Sequence, residues 1–292
     1  MAARRRRRQN RGVQTFGEVL RTTRGARRLS QLQLSVEAEV SQRHLSFLES
    51  GRALPSREMV LQLARALDLP LRERNRLLVS AGFAGIYPTR RLEAADMSPV
   101  RGALERLLAH HEPYPAIVVD RAWNLFMANA VVPRVFGAMG DLDAMFRSVC
   151  ADRPPNVLEL LLHPEGMQPF IRNFEDVAVP LLVRTAREAI EHPHVSVVLD
   201  RVLRYPTIPA RWRNLDLQRS PNPLPVLPTE FAVGDQRLEV FSMMTTFGTP
   251  LDLTTDELRV ESFFPANAAS EALLRALAAG PPDARVSIDQ AR

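Results

Sequence analysis

Gln42, Arg43 and His44 stand side by side, and the first two carry planar side chains that can make paired hydrogen bonds to a flat partner. Glutamine matches the N6/N7 edge of adenine and arginine the O6/N7 edge of guanine. Ser46 and Phe47 follow about one helical turn later, Phe47 outward and Ser46 nearer the core edge. Gln31 precedes them at the start of another apolar-periodic stretch, where free N–H groups and the helix dipole favour a phosphate. This set of residue types suits recognition of duplex nucleic acid rather than a reaction.

The elements that would position these side chains are marked by caps. Ser30 is a helix N-cap, and residues 31–38 place Leu34, Ser35 and Ala38 on one face. Glu39-Val40 interrupts the pattern. Ser41 is a second N-cap, residues 42–50 turn Leu45 and Leu48 inward, and Gly51 ends the segment as a C-cap. Ser56 caps a further helix in which Met59, Val60, Leu63, Ala64 and Leu67 repeat at helical spacing. Two short helices joined by a tight turn form a helix-turn-helix unit, whose second helix can enter a major groove with its N-terminal end toward the bases. Spacing alone leaves open an ordinary helical hairpin with a solvated polar face.

Reaction chemistry has little support. All 38 basic residues are arginine, which removes P-loop lysines, Schiff bases and Ser-x-x-Lys pairs. There is no Gly-x-Ser-x-Gly, no dinucleotide fingerprint and no His-Glu-x-x-His. The pairs His110-His111 and His192-Pro-His194 lack carboxylate or thiol partners at ligand spacing and read as surface or capping residues. Cys150, the lone cysteine, cannot form an internal disulfide and reads as a small buried hydrophobe. Asp256-Glu257 reads as the first turn of a helix. No catalytic residue, cofactor or metal is expected.

Charge divides the chain. Residues 1–91 hold 19 Arg against 7 acids, and the remainder holds 19 Arg against 26. A basic head on an acidic body implies that the head meets a polyanion. The expected organisation is a disordered Arg-rich tail at 1–13, a helical head at 14–82, a linker at 83–99, a second domain at 100–280 and a disordered tail at 281–292. The Arg4–Arg8 run reads as a solvated tail that adds sequence-independent affinity, a minor-groove arm being the alternative. With no apolar run long enough to span a bilayer and no signal-peptide core, a soluble, cytoplasmic protein is expected.

The second domain mixes periods. Residues 100–110, 156–162, 174–191 and 268–279 have helical spacing. Residues 116–119 and 124–127 form an expected hairpin, 229–233 and 237–246 flank Gly234-Asp235-Gln236 as another, 258–264 is a last strand, and 221–228 is a proline-rich extended loop. Strands outlined by helices without βαβ alternation point to α+β. Trp123, Phe126, Phe231, Phe241, Met243 and Phe247 crowd these strands. They are either plain core or the lining of a pocket for an apolar ligand. Phe241 and Met243 share one strand face and Val240 and Met244 the other, and the spacing does not say which points inward.

The stretch Leu29-Ser-Gln…Val40-Ser-Gln-Arg-His-Leu-Ser-Phe-Leu-Glu-Ser-Gly-Arg-Ala-Leu-Pro-Ser56 closely resembles the phage-repressor-like (Xre-type) helix-turn-helix family, over about Phe16 to Leu78. The resemblance implies that Gln31, Gln42, Arg43, His44 and Ser46 face DNA and that Arg52 and Ser56 approach phosphates. Ser41, the N-cap of the reading helix, belongs to the same candidate set. Glu39 departs from the family, which usually has glycine in the turn, and a left-handed non-glycine residue there costs on the order of 1 kcal/mol. Further on, Tyr114-Pro-Ala-Ile-Val-Val-Asp-Arg-Ala-Trp-Asn-Leu-Phe-Met-Ala-Asn129, Asn156-Val-Leu-Glu-Leu-Leu-Leu-His-Pro164, Thr246-Phe-Gly-Thr-Pro250 and Glu257-Leu-Arg-Val-Glu-Ser-Phe-Phe-Pro265 resemble the MmyB-like ligand-binding domain. That resemblance implies a PAS-like fold and a pocket for a small, largely apolar molecule such as a fatty acid. The expectation is therefore an all-α helix-turn-helix domain followed by an α+β PAS-like domain, in a non-enzymatic homodimeric regulator of double-stranded DNA. The alternative keeps the head and makes the second domain a protein-interaction scaffold without a small-molecule site; an enzyme is a weaker third reading.

Overall fold

The computed structural model describes residues 15–214, 226 and 228–280. The arginine tail at 1–13, most of the proline-rich loop and the tail at 281–292 lie outside the described residues. The chain divides into two compact units, one of residues 15–90 with Leu251–Asp256, the other of residues 91–250 with 257–280.

The first unit holds helices α1 (Phe16–Ala26), α2 (Gln31–Glu37), α3 (Gln42–Glu49), α4 (Arg57–Ala66) and α5 (Leu71–Ser80). Thr15, Ser30, Ser41 and Ser56 cap the first four, each hydroxyl accepting a backbone N–H from the third residue onward. Thr15 with Glu18 and Ser30 with Gln33 complete reciprocal capping boxes. All five helices end the same way, in a left-handed residue whose flanking N–H groups return to the last turn: Arg28, Glu39, Gly51, Asp68 and Gly82. Glu39 has φ +52°, and its turn closes with Glu39 N donating to Val36 O at 3.1 Å and Val40 N to Ser35 O at 2.9 Å. Leu20, Leu34, Leu45, Leu48, Leu63 and Leu78 form a core without exposed surface. Gly17 lets α1 meet the end of α3, because a Cβ there would lie 2.6 Å from the Glu49 carbonyl oxygen.

After α5 the chain is tied back. Asn75 accepts from the Ile86 and Tyr87 N–H groups at 2.9 and 3.1 Å and donates to Tyr87 O at 2.6 Å. Phe83 and Ile86, in the span read as a linker, pack against the helical core. Residues Leu251–Asp256 bind the next stretch. Leu253 N donates to Pro88 O at 2.9 Å, Arg90 reaches Asp252 at 2.9 Å, and the Thr254 hydroxyl donates to Arg90 O at 2.6 Å.

The second unit is α+β. It contains α6 (Ser98–His110), β1 (Ala116–Val119), β2 (Leu125–Ala128), α7 (Val131–Gly137), α8 (Leu142–Cys150), α9 (Val157–Leu162), α10 (Phe174–Glu191), α11 (Ser196–Val202), β3 (Thr229–Val233) and β4 (Gln236–Thr246). β5 (Arg259–Pro265) and α13 (Ala268–Ala278) complete it, while the short α12 (Leu253–Glu257) that precedes β5 belongs, but for Glu257, to the first unit. The strands form one antiparallel sheet ordered β2-β1-β5-β4-β3. Alternation gives the sheet two different faces. Ala116, Val118 and Val260 join Leu104 and Leu108 of α6, together with Leu92 and Met97, in one cluster. Ile117, Val119, Leu125, Phe231, Leu238 and Val240 join the larger cluster contributed by α7 to α11 and α13.

Buried carboxylates fasten the helices on that larger side. Glu159, 1% exposed, accepts from Arg153 and Arg201 at 2.7 Å and from the Tyr205 hydroxyl at 3.0 Å. Burial works to raise its pKa, but these guanidinium hydrogen bonds outweigh it and hold the carboxyl below its ordinary value. Glu188 on α10 joins Arg121 and Arg259, each at 2.7 Å.

Candidate nucleic-acid interface and ligand cavity

In the head, α3 turns Leu45 and Leu48 into the core, which leaves Ser41, Gln42 and Arg43 exposed and His44 and Ser46 half-buried at its N-terminal end. The Arg43 guanidinium lies over the Phe47 ring, 5.4 Å from its centroid, and that of Arg52 lies over the same ring at 6.0 Å. Phe47 thus gathers two cations on the outer side of the helix. Arg52 and Ser56 are exposed. The Ser41 hydroxyl accepts from His44 N at 3.1 Å and the Ser56 hydroxyl from Met59 N at 3.2 Å. Ser41 keeps its O–H for an outside acceptor, whereas the Ser56 hydroxyl also hydrogen-bonds the Glu58 carboxylate.

Gln31 is placed differently from the other candidates. Half-buried, its amide donates to the Glu49 carboxylate at 2.8 Å. Glu49 has a fully buried side chain and also takes paired bonds from Arg24 at 2.6 and 3.0 Å. Burial opposes its ionisation, yet the bonds from Arg24 and Gln31 hold its pKa below the ordinary value. Glu49 therefore ties the last turn of α3 to α1 and fixes the Gln31 side chain. Sequence reasoning missed this residue. The available signal was a carboxylate on the inward face of α3, beside Leu45 and Leu48.

In the second unit, a cavity of about 310 Å³ lies between the sheet and its covering helices. Ile117, Leu125, Val240 and Phe263 contribute from the sheet, Val132 and Phe136 from α7, Phe146 from α8, and Leu158 and Leu161 from α9. α10 adds Val177, Pro180 and Leu181. Of the six residues singled out in the sequence, Trp123, Phe231 and Phe241 border this space. The ring of Phe241 stacks on Phe264, with centroids 5.6 Å apart. Phe126 and Phe247 pack instead with the α6 cluster, and Met243 is 59% exposed. Val240 and Ser242 share the strand face toward the cavity; Phe241 borders the same space from the opposite face, where its ring lies on Phe264, and Met243 on that face is turned to the outside.

Trp123 closes the β1–β2 turn with an unusual backbone, φ +66°. Its N–H donates to Asp120 O at 3.0 Å and its indole N–H to the Thr185 hydroxyl at 3.3 Å. A left-handed non-glycine residue is strained by roughly 1–2 kcal/mol, so the fold holds this indole at the cavity wall against a local preference.

The lining has few polar groups. Glu261 on β5 is 8% exposed and accepts from the Ser242 hydroxyl on β4 at 2.6 Å. Burial raises its pKa, against the Ser242 hydrogen bond and the Arg184 charge. Arg184 on α10 borders the same cavity, with its guanidinium 5.5 Å from the Trp123 ring centroid. Burial first and the neighbouring Arg259 second weaken its hold on its proton, but an arginine remains cationic under such shifts. Sequence reasoning named neither residue. Among the described residues, no group of three or more His, Cys, Asp or Glu is arranged to hold a metal ion.

The family follows from the extent of sequence that this architecture shares with others. Residues 100–277, more than half the chain, match the MmyB-like transcription regulator ligand binding domain. The chain belongs to this family. Residues 15–77 match a helix-turn-helix domain, so the MmyB-like domain stands behind a DNA-binding head. No curated protein matches the chain. The MmyB-like chain is a DNA-binding transcription regulator with a ligand-sensing domain, and its families are those of regulators, not of enzymes. No described helix is long and apolar enough to cross a membrane.

Proposed function

We propose that this regulator reads operator bases with the N-terminal turn of α3 and answers to a small, largely apolar ligand, a fatty acid being a fitting class, held in the cavity of its second domain. The cavity is the observation that carries the ligand reading. A space of about 310 Å³ walled by Ile117, Phe136, Phe146 and Leu181 has the size and apolar character of small-molecule sites. A scaffold with no small-molecule site has no use for such a void, since close packing is the norm and empty volume costs stability.

On the DNA side, Gln42 and Arg43 contact base edges, Ser41, His44 and Ser46 flank them, and Arg52 and Ser56 meet phosphates. Gln31 supports the reading helix through Glu49 and keeps one carbonyl oxygen for an outside donor. The protein works in the cytoplasm as a homodimer on two related half-sites, because one short helix reads too few base pairs to select an operator. Ligand occupancy biases the disposition of the two heads. The residues 1–13 add sequence-independent phosphate contacts.

Two experiments test these readings. Mass spectrometry of the purified full chain is expected to show a co-purifying apolar small molecule; a ligand-free preparation that binds no apolar probe removes the ligand half. Duplexes selected from a random pool supply the operator. Arg43→Ala and Gln42→Ala are each expected to lower operator preference over random DNA by about 1–3 kcal/mol. An unchanged ratio at fixed salt would move base reading away from α3.

A further inference from the structure

Phe47 has no part in the core of the head. Leu45 and Leu48 take the inward positions of α3, and Phe47 joins neither the buried cluster nor the apolar side chains packed around it. It stands half-buried on the outward side of the helix, where an aromatic ring left partly in water forgoes much of its hydrophobic gain. What the ring does touch is cationic. The guanidinium of Arg43, one turn before it, and that of Arg52, beyond the end of the helix, lie over it at 5.4 and 6.0 Å from its centroid. The backbone repeats the link to Arg52. Phe47 O accepts from Arg52 N at 2.8 Å and from Ala53 N at 3.2 Å, so the segment after α3 hangs from this residue. Neither guanidinium has a carboxylate within ion-pairing distance among the described residues, whereas that of Arg24 is held by Glu49. The shared ring is the side-chain contact that holds both.

We propose that Phe47 is a positioning residue for operator recognition, acting through Arg43 and Arg52 and not on the bases itself. An exposed arginine samples many rotamers, and fixing it for a paired hydrogen bond forfeits that freedom on binding. A guanidinium that already rests on an aromatic face has given up part of it beforehand, so less is lost when a guanine arrives. The shared ring has a second effect. It sets the distance between the group that reads a base and the group that meets a phosphate, so the backbone contact brings the base contact into register. The two arginines then act as a coupled pair and not as two independent contacts. The inference rests on α3 being the reading helix and adds how its readers are held.

The test titrates the full chain, at fixed salt, with the operator selected from a random pool and with copies in which single guanines are replaced by 7-deazaguanine, which lacks the N7 acceptor. At the guanine that Arg43 reads, the replacement is expected to weaken binding about tenfold. Phe47→Leu, which keeps an apolar side chain but no aromatic face, should shrink that penalty about two- to fivefold. Phe47→Tyr should restore it. In a chain carrying Arg43→Ala and Arg52→Ala, adding Phe47→Leu should change operator affinity by less than about twofold. A Phe47→Leu loss as large in that doubly substituted chain as in the unaltered one overturns the proposal, because the ring would then act on DNA or on the fold directly. A 7-deazaguanine penalty that Phe47→Leu leaves intact while Arg43→Ala abolishes it also overturns the proposal, and α3 remains the reading helix. If the unaltered chain feels no guanine replacement more than Arg43→Ala does, base reading by Arg43 falls, and the positioning role with it.

Discussion

The head and the second domain have opposite relations between core and function. In the head, leucines of α1 to α5 with Phe16, Val19 and Val60 make a fully buried core, and the candidate DNA-contacting residues sit on or near the outside of α3 and its neighbours. In the second domain the interior is left unfilled, and the candidate functional groups are the walls of the space that remains. A solid core lets a surface be rigid enough to match a groove. A hollow one gives up packing enthalpy for room, while buried ion networks around Glu159 and Glu188 tie its helices together.

The sharpest test of that contrast removes the buried carboxylates. Glu159→Gln leaves Arg153 and Arg201 without an anion, and the loss is expected to be about 3–5 kcal/mol. Glu49→Gln should cost a similar amount in the head. Denaturant unfolding followed by tryptophan emission isolates the second domain, because both tryptophans of the chain, Trp123 and Trp212, belong to it. A small loss for Glu159→Gln would mean that the network is not what fastens the helices on this side of the sheet.

Between pH 6.5 and about 4, acid should weaken the second domain through His192. His192, 2% exposed, has its pKa lowered to about 4, by burial first and by the Arg121 charge second. The folded form therefore binds fewer protons than the unfolded form between the ordinary value of 6.5 and about 4. His192 imposes no cost above pH 6.5. Stability then falls by up to about 1.4 kcal/mol per pH unit as the pH drops toward 4, and this contribution levels off below that. Tryptophan-monitored unfolding of His192→Asn across this window should lack this share of the slope; an unchanged slope assigns it to other groups.

Adding volume should separate the two interiors. Ala64→Leu forces three extra carbons into a closed core and is expected to cost about 1–3 kcal/mol. Ala128→Leu points the same atoms into the cavity and should leave stability within about 0.5 kcal/mol of the original while blocking apolar ligands. Equal penalties at the two sites would abolish the distinction between filled and hollow cores.

The smallest effect concerns the turn of the head. Glu39→Gly relieves a left-handed residue and should stabilise the head by about 1 kcal/mol or less, glycine giving back part of the gain in unfolded-state entropy. Thermal unfolding followed by helical circular dichroism measures it. A loss of stability would mean that Glu39 makes contacts that outweigh its backbone strain.

The head was the more legible half because its instructions are local. Ser30, Ser41 and Ser56 state where helices begin, and the leucine period states which face is buried. Glu49 was not legible, since its partners Arg24 and Gln31 come from other helices. In the second domain the hairpins around Asp120-Arg121-Ala122 and Gly234-Asp235 carried clear turn signals, and α10 appeared with its observed bounds. Helices α7 and α8 went unread. Val131-Val-Pro-Arg-Val reads locally as extended, and the proline is tolerated because it falls in the first turn, where no N–H is needed. For α8, the Asp141 N-cap was an available cue. Which face of β4 meets the cavity depends on where the helices return, and a strand's alternation is symmetric on that point. For the same reason Trp123 and Phe231 could be named while Arg184 and Glu261 could not: a charge on an amphipathic helix or in a strand gives no local sign that it faces an internal space.

The strap of Leu251–Asp256 has a consequence for anyone who cuts this gene. Arg90, at the end of the head's contiguous sequence, finds its carboxylate in Asp252, and Pro88 is bonded by Leu253, more than 160 residues later. A truncated product that stops at the linker would carry five helices without the peptide that fastens their last residues. In genetic terms the head is not a cassette. The shortest uninterrupted reading frame that encodes all of it also encodes most of the sensor.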